Sequence, residues 1–566
     1  RDEAPCAALR ARIALAPGET VCLIHLLGEA SHEKLAEQLI HRYANVREAR
    51  RTLDAAVADW HELMGRIDVK SPCESFNLLA NGWLPYQTSA CRMKARSSYY
   101  QGGGAFGFRD QLQDSLAFLI HDPLVPRRQI ALHAAHQFPE GDVLHWWHPP
   151  ASRGMRTRFS DDLLWLPFAA LEYVATTGDQ DFWNEQIPFV IAPPLEPDQQ
   201  EAFGPTVVSG ECASLYEHCC RALDRSLQVG SHGLPLMGCG DWNDGMSRVG
   251  AAGRGESVWL ACFLYDILRR FEPLARQRPD PTRADRYADH AKSLQAAMER
   301  SGWDGGWYRR AYLDDGRPLG SKQSRECQVD GLVQAWAVLS EIAPPERGTV
   351  AVRAAMDTLG CAASGVLRLL TPPFDSEEYD VGYIRGYLPG IRENGGQYTH
   401  GVMWLIRALA QLGHGTEAVE WLERLTPMWH HATEERRATY QTEPYVLAAD
   451  VYGTPPNLGR GGWTWYTGSA GWMLRVLWES ILGIRILDGR RLEVCPSISS
   501  NWPSYQVQFR DPFHGGKWTI QVENSDRREF GLREAQCDGK SVAIHRGVAI
   551  LDLTLPGTEH EVRARM

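Results

Sequence analysis

The stretch ENGGQYTHGVMWLIRALA, Glu393–Ala410, reads as a glycine turn that opens directly into an apolar helix. Thr399 and His400 fall where the first helical amides point, a place suited to an anion. The run from Met403 is apolar enough to be buried. The same pattern recurs in both directions. Helical segments are expected at 110–122, 124–138, 160–177, 208–229 and 256–276, and again at 284–300, 328–343, 347–359, 415–426 and 467–484, with an earlier one around 73–91. They do not repeat in sequence, which argues against a solenoid of fixed period. Long polar loops separate them at 92–109, 139–159, 230–255 and 377–398. A set of about twelve helices with its chemistry in the loops predicts a mainly α fold, an (α/α)6 barrel or toroid of six inner and six outer helices.

The texture changes at both ends. After Asp488, RLEVCP, YQVQFR, KWTIQV, SVAIH and VAILDLTL alternate apolar and polar residues between Asp-Gly, Gly-Gly and Pro breaks, which predicts a β-sandwich-like domain. Residues 1–31 hold short apolar runs, RIAL and ETVCLIHLL, expected to be the last strands of a β-sandwich. From His32 the period becomes helical, with Leu35, Leu39, Ile40, Tyr43, Val46 and Leu53 mostly three or four apart. The expected domains are a sandwich remnant at 1–31, a helical linker at 32–66, the barrel at 67–485 and a C-terminal β domain at 486–566. The chain opens on Arg1 rather than Met and reads as a piece of something longer.

With 566 residues and 44% hydrophobic content the chain is globular and multidomain. A net charge of −11 disfavours nucleic acid or an anionic membrane as partner. No run approaches a spanning helix. None of the 13 cysteines forms a CxxC pair, so buried reduced thiols and a cytoplasmic location are expected, or the cytoplasmic face of the inner membrane if the parent protein is membrane-bound.

Four motifs carry candidate chemistry. CGDWNDGM, Cys239–Met246, sets Asp241 and Asp244 around Trp242 in a glycine turn. One acid of such a turn can face a ligand while the other is tied into the scaffold, and an adjacent indole would desolvate it; an Asx turn or helix cap is the plainer alternative. QGGGAFGFRDQLQD, Gln101–Asp114, ends in an Arg109–Asp110 pair able to bind sugar hydroxyls, against the alternative of a surface loop and helix start. The third motif is the His400 turn quoted above. WTWYTGSAGWM, Trp463–Met473, again opens a helix from a Thr-Gly-Ser turn, so together the two form a phosphate cradle or merely two helix caps. Of the 20 tryptophans, Trp83, Trp146, Trp147, Trp242, Trp307, Trp463 and Trp465 lie in these loops and are expected to be sugar platforms, whereas Trp259, Trp404 and Trp478 suit a core. HWWHP at 145–149 and RTRFSDD at 156–162 add polar-aromatic loop surface; His145 and His148 lack partners for a metal, and none is expected.

Taken in order with GRGESVWL at 253–260, these motifs resemble glycoside hydrolase family 94, the inverting disaccharide and oligosaccharide phosphorylases. The wording is nearest to the phosphorylase domain of cyclic β-1,2-glucan synthases and to 1,2-β-oligoglucan phosphorylases. The resemblance, running from about residue 70 to 500, implies the same domain order, no cofactor beyond inorganic phosphate as co-substrate, and room for a homodimer. It implies Asp244 as general acid, Trp242 lining the sugar site and Arg109 with Asp110 gripping the glucosyl unit. Gln101 and Glu443 complete the expected substrate-binding set, and His400, Thr467 and Gly468 correspond to phosphate ligands. Members acting on cellobiose or chitobiose carry a further Arg just upstream of the FRD motif, where this chain has Gly102–Gly104. That departure weakens disaccharide specificity and fits the β-1,2-glucan branch.

The expected reaction is phosphorolysis of a β-linked glucan to α-glucose 1-phosphate, with a role in chain-length control inside a cyclic β-1,2-glucan synthase. Two alternatives stand beside it: an inverting hydrolase using Glu393 or Glu443 as base to a water, and a non-catalytic glucan-binding domain.

Overall fold

The computed structural model describes residues 8–94, 104–149, 152–465 and 468–566. Gln101 and Thr467 lie outside the described residues. The chain divides into two compact units, Arg1–Gly65 and Arg66–Met566.

In the first unit the expected helical stretch is two helices, Glu33–Tyr43 and Val46–Met64. His32 and Asn45 cap them by accepting from the amides of Leu35 and of Arg47 and Glu48. The strands expected before them are not formed: residues 8–31 are irregular apart from a turn at Ala16–Glu19. Leu9, Ile13, Leu15, Val21 and Leu27 are exposed there. A strand is held by its neighbour's ladder, and among the described residues this segment has no neighbouring strand.

In the second unit six helices touch in a closed ring: Phe108–Ser115, Trp165–Thr177, Val258–Gln277, Gly331–Leu339, Thr399–Gln411 and Ser469–Arg475, the last meeting the first. Others pack outside them, at Leu84–Thr88, Leu124–Ala134, Leu215–Arg225, Pro281–Ala297, Pro345–Leu359 and Gly415–Arg424. The ring helices are apolar on most sides because they have neighbours on most sides. Trp165, Trp259, Trp404 and Trp472 are fully buried within them. Trp404 meets Trp336 and Trp472 at 5.3 Å between ring centroids, edge to face.

Three expectations change. Val207–Ser214 is a strand paired with Gln186–Ile191 rather than the start of a helix; its β-branched start found a β-rich partner, which outweighs helical spacing. The region 139–159 is not an open loop. Leu144–His148 and Arg153–Thr157 form an antiparallel sheet with Phe106–Gly107 and Glu201–Pro205. Ile67–Lys70, expected in the barrel, pairs with Ser504–Arg510. It thereby becomes the edge of a six-stranded sheet built otherwise from the C-terminal region, beside a four-stranded sheet that starts at Ile484. Among the described residues no helix is long and apolar enough to cross a membrane.

Several histidines sit inside this framework. His430, stacked on Tyr440 at 4.3 Å, is pushed by burial to a pKa of about 3. Burial likewise lowers His121 and His218 to about 4. Each is depressed in the folded state, so its contribution is complete above the unfolded value of 6.5 and is lost as pH falls toward the folded one. His430→Phe keeps the stack and removes the titration. At pH 5, 1.5 units below that value, its stability relative to pH 7 should have fallen by about 2 kcal/mol less than that of the wild type, read from urea unfolding.

Candidate active site

The ring helices start at one place, and the site is assembled from their first residues. Ser257 caps the helix Val258–Gln277 and Asp330 caps Gly331–Leu339, each accepting from an amide of the first turn. Both are tied to the CGDWNDGM turn. Asp241 is fully buried, accepts from the Ser257 hydroxyl at 2.7 Å, and is held by both Nη atoms of Arg310 at 2.6 and 2.7 Å. Arg310 also reaches Asp330 at 3.0 Å. Burial works against the Asp241 charge, but Arg310 and these hydrogen bonds outweigh it and keep the carboxyl below its usual range. The turn does contain Asx bonds, Asn243 N to Asp241 Oδ1 at 3.1 Å and Gly245 N to Asn243 Oδ1 at 3.2 Å. They shape it without using Asp244. The left-handed Gly240, at φ +145°, admits the Phe159 ring against the backbone.

Asp244 is the presented acid, with about a third of its side chain exposed. Its close neighbour is the Arg109 guanidinium rather than the adjacent indole, through an Arg109 Nη2–Asp244 Oδ1 contact. Arg109 is 7% exposed and also donates to both Asp161 oxygens, at 3.0 and 3.1 Å, and to the Asp241 carbonyl at 3.1 Å. Burial opposes its charge, but Asp161, Asp244, Asp162 and Asp110 hold the guanidinium well above its ordinary range. The Arg109–Asp110 pair therefore divides: Arg109 braces the acid turn, while Asp110, 38% exposed at its side chain and 3.4 Å from Arg92, remains open to a ligand. Burial opposes the Asp110 carboxylate as well, but Arg92 and Arg109 hold it low.

His400 stands across from this group. The Trp472 indole N–H can only donate, and it donates to Gln113 Oε1 at 3.0 Å. The same oxygen lies 2.9 Å from His400 Nε2, so that nitrogen carries the proton and Nδ1 is an acceptor. Burial holds His400 neutral, at about 3. Gly468 packs against Nδ1 so closely that a Cβ there would lie 2.8 Å from it.

The remaining candidates divide. Trp242 is 5% exposed, wedged edge-on against Tyr398 and His400 at 5.5 and 5.1 Å, and Trp147 is 2% exposed on its strand. Both are packing groups rather than open platforms. Trp83, stacked on Tyr445 at 4.4 Å, Trp463 and Trp465 are half-buried. Glu443 accepts from the Trp465 indole at 3.0 Å. Glu393 is buried beside Arg392 at 3.3 Å, and burial raises its pKa. Among the described residues no group of three or more His, Cys, Asp or Glu is placed to hold a metal ion.

Sequence reasoning missed His145, Asp161, Asp162 and Arg310 as members of this site. Asp161 and Asp162 lie in a motif noted only for polar-aromatic character, and His145 was weighed only as a metal ligand. Arg310 had no sequence signal, since it reaches Asp241 and Asp330 only through the fold.

Site and fold together set an acidic turn, with Asp244 presented and Asp241 buried, against the first residues of a helical ring. The chain belongs to the glycosyl hydrolase 94 superfamily: the model of its catalytic domain matches residues 59–483, and that of the glycosyl hydrolase 94 supersandwich domain matches residues 2–46. The chain is 45% identical over 510 residues to the cyclic beta-(1,2)-glucan synthase NdvB of Rhizobium meliloti, covering 90% of this chain and 18% of that protein. It is 29% identical to the solabiose phosphorylase of Paenibacillus borealis, covering 94% of this chain and 65% of that one. The chain thus spans under a fifth of the synthase and about two thirds of the phosphorylase. A sialidase structure at 13% identity aligns over 88% of this chain and 42% of its own, with a TM-score of 0.55, a likeness of fold alone.

Proposed function

We propose that the chain catalyses inverting phosphorolysis of a β-linked glucan, with β-1,2-glucooligosaccharide as substrate, giving α-glucose 1-phosphate and a chain shorter by one glucose. The observation that carries this reading is the division of labour in the acid turn: Asp241 is spent on Arg310 and Ser257, and Asp244 alone reaches the opening. Asp244 gives its proton to the glycosidic oxygen as that bond to the anomeric carbon breaks. A phosphate oxygen forms the new bond from the opposite face, through an oxocarbenium-like transition state. Phosphate arrives as an anion, so no carboxylate base is required, and no cofactor enters. The positive N-terminal ends of the ring helices favour an anion in front of them. Gly468 and His400 are the described phosphate ligands in this reading, with His400 Nδ1 accepting from a protonated phosphate oxygen. Asp110 and Glu443 hold sugar hydroxyls. Glu393 and Glu443, the candidate bases of a hydrolase, are both engaged by neighbours.

The helical ring with its outer layer is, on this reading, the (α/α)6 barrel of the family, with the C-terminal sheets as its β domain. The similarity to the synthase supports β-1,2 linkage and a role in trimming glucan within a longer polypeptide.

The test is incubation with linear β-1,2-glucooligosaccharide, with and without inorganic phosphate, assaying glucose 1-phosphate. Product that requires phosphate is expected; shortened chains and free glucose without phosphate would make the enzyme a hydrolase. His400→Ala should raise the KM for phosphate about 10- to 100-fold and leave the KM for glucan nearly unchanged, the loss of one hydrogen bond to an ionised ligand.

A further inference from the structure

We infer that His145 is a positioning residue for the acid, fixed by Asp162 and set beside the second oxygen of Asp244 on the side away from Arg109. The inference rests on Asp244 being the general acid of the proposed reaction.

His145 comes from the strand Leu144–His148, an element separate in sequence from every motif that carries the family resemblance. Its Nδ1 lies 2.7 Å from Asp162 Oδ2, and its Nε2 points the other way, 4.0 Å from Asp244 Oδ2. The ring is stacked on Phe159, 4.5 Å between centroids and 13° from parallel, so it cannot swing away without losing that face. Asp162 is itself buried, its side chain 2% exposed, and follows directly on Asp161, the bidentate partner of Arg109. Two adjacent aspartates just before one ring helix thus each hold a basic group, and the two groups face opposite oxygens of Asp244, Arg109 in contact and His145 at 4.0 Å.

The charges around the pair can be named from each side. Asp244 is faced by Arg109 from the helix Phe108–Ser115, by His145 from its strand, by Tyr383 and Tyr387 from the turn beyond the acid motif, and by Glu393 and Tyr398 from the loop before the helix Thr399–Gln411. His145 is faced by Asp162, Asp244, Arg109 and Asp110. Burial pulls the imidazole toward its neutral form, but Asp162 and then Asp244 outweigh it and raise the pKa to about 9, so at neutral pH the ring is charged.

The chemical consequence follows from proton balance. When the glycosidic C–O bond breaks, the proton of Asp244 passes to the departing oxygen and the acid becomes a carboxylate. A cation on each oxygen stabilises that developing charge. Removing one should therefore slow the step in which Asp244 gives up its proton.

The experiment compares wild type, His145→Gln and Asp162→Asn in the intact chain, with two substrates. The first is a β-1,2-glucooligosaccharide with phosphate; the second is 2,4-dinitrophenyl β-glucoside with phosphate, whose leaving group departs without a proton. On the oligosaccharide both variants should lose about tenfold or more in kcat, the worth of a charge partner to the developing carboxylate, while the KM for phosphate stays within about twofold. On the aryl glucoside kcat should match wild type. A loss of equal size on both substrates, or no loss on the oligosaccharide, would overturn the inference and reduce His145 to a structural role. A wild type that makes no phosphate-dependent glucose 1-phosphate overturns the phosphorylase reading, and this inference with it; an active wild type with an undiminished His145→Gln kcat on the oligosaccharide overturns this inference alone.

Discussion

Asp244→Asn should reduce glucose 1-phosphate formation from β-1,2-glucooligosaccharide by about 10²- to 10⁴-fold, the usual worth of a general acid. The amide keeps the size of the side chain and can still accept from Arg109 Nη2, so the turn should hold its shape. What disappears is the transferable proton. The loss should fall on kcat with little change in either KM, because the acid acts in the transition state rather than in ground-state binding. Activity on 2,4-dinitrophenyl β-glucoside should survive for the same reason. A matching loss on both substrates would mean that Asp244 positions the sugar, and the acid would then have to be sought elsewhere. Asp241→Asn is an instructive contrast: its effect should appear in stability at least as much as in rate, because Asp241 is buried and touches only scaffold.

Arg310→Met should be the most damaging substitution for folding among the site residues, at about 3–5 kcal/mol by urea unfolding. The methionine fills most of the same volume, so the loss is electrostatic. Arg310 is fully buried and neutralises two buried carboxyls, Asp241 through both of its Nη atoms and Asp330 through Nε. Even with Arg310 in place, burial pushes Asp330 up to about 6. Without it neither acid has a cation, and either they take up protons or the turn opens. Arg310→Lys should rescue only partly, because an ammonium cannot span both carboxylates as the planar guanidinium does. Wild-type stability in Arg310→Met would show that the turn is held by its Asx bonds alone. Activity should fall with stability, since the Asp241 backbone that Arg310 anchors also takes the Arg109 hydrogen bond beside Asp244.

Much of this was legible in the amino-acid order. The ring helices were visible at Glu393–Ala410 and at Trp463–Met473 because glycine turns followed by long apolar runs have few other readings. The C-terminal strands were visible because one face of each is buried and the period of two survives. Asp244 could be singled out because its motif matches a family pattern, and His400 because a helix start is a local feature. Such signals are short-range: they depend on residues within a turn or two of one another.

What escaped was long-range. The strand at Val207–Ser214 and the sheet around Trp147 exist because partners about 20 to 50 residues away supply their ladders. Trp242 and Trp147 looked like open sugar platforms because a tryptophan in a glycine-rich segment carries no mark of its burial. Arg109 looked like a sugar ligand, whereas three carboxylates from two other segments claim it. Arg310 was silent for the same reason. The amino-acid sequence by itself determined the helices and the β tail and pointed to Asp244, because local propensity and motif spacing act within a few residues. Only the tertiary structure decided which charges meet at that acid, because ion pairs depend on distances that the chain's order does not contain.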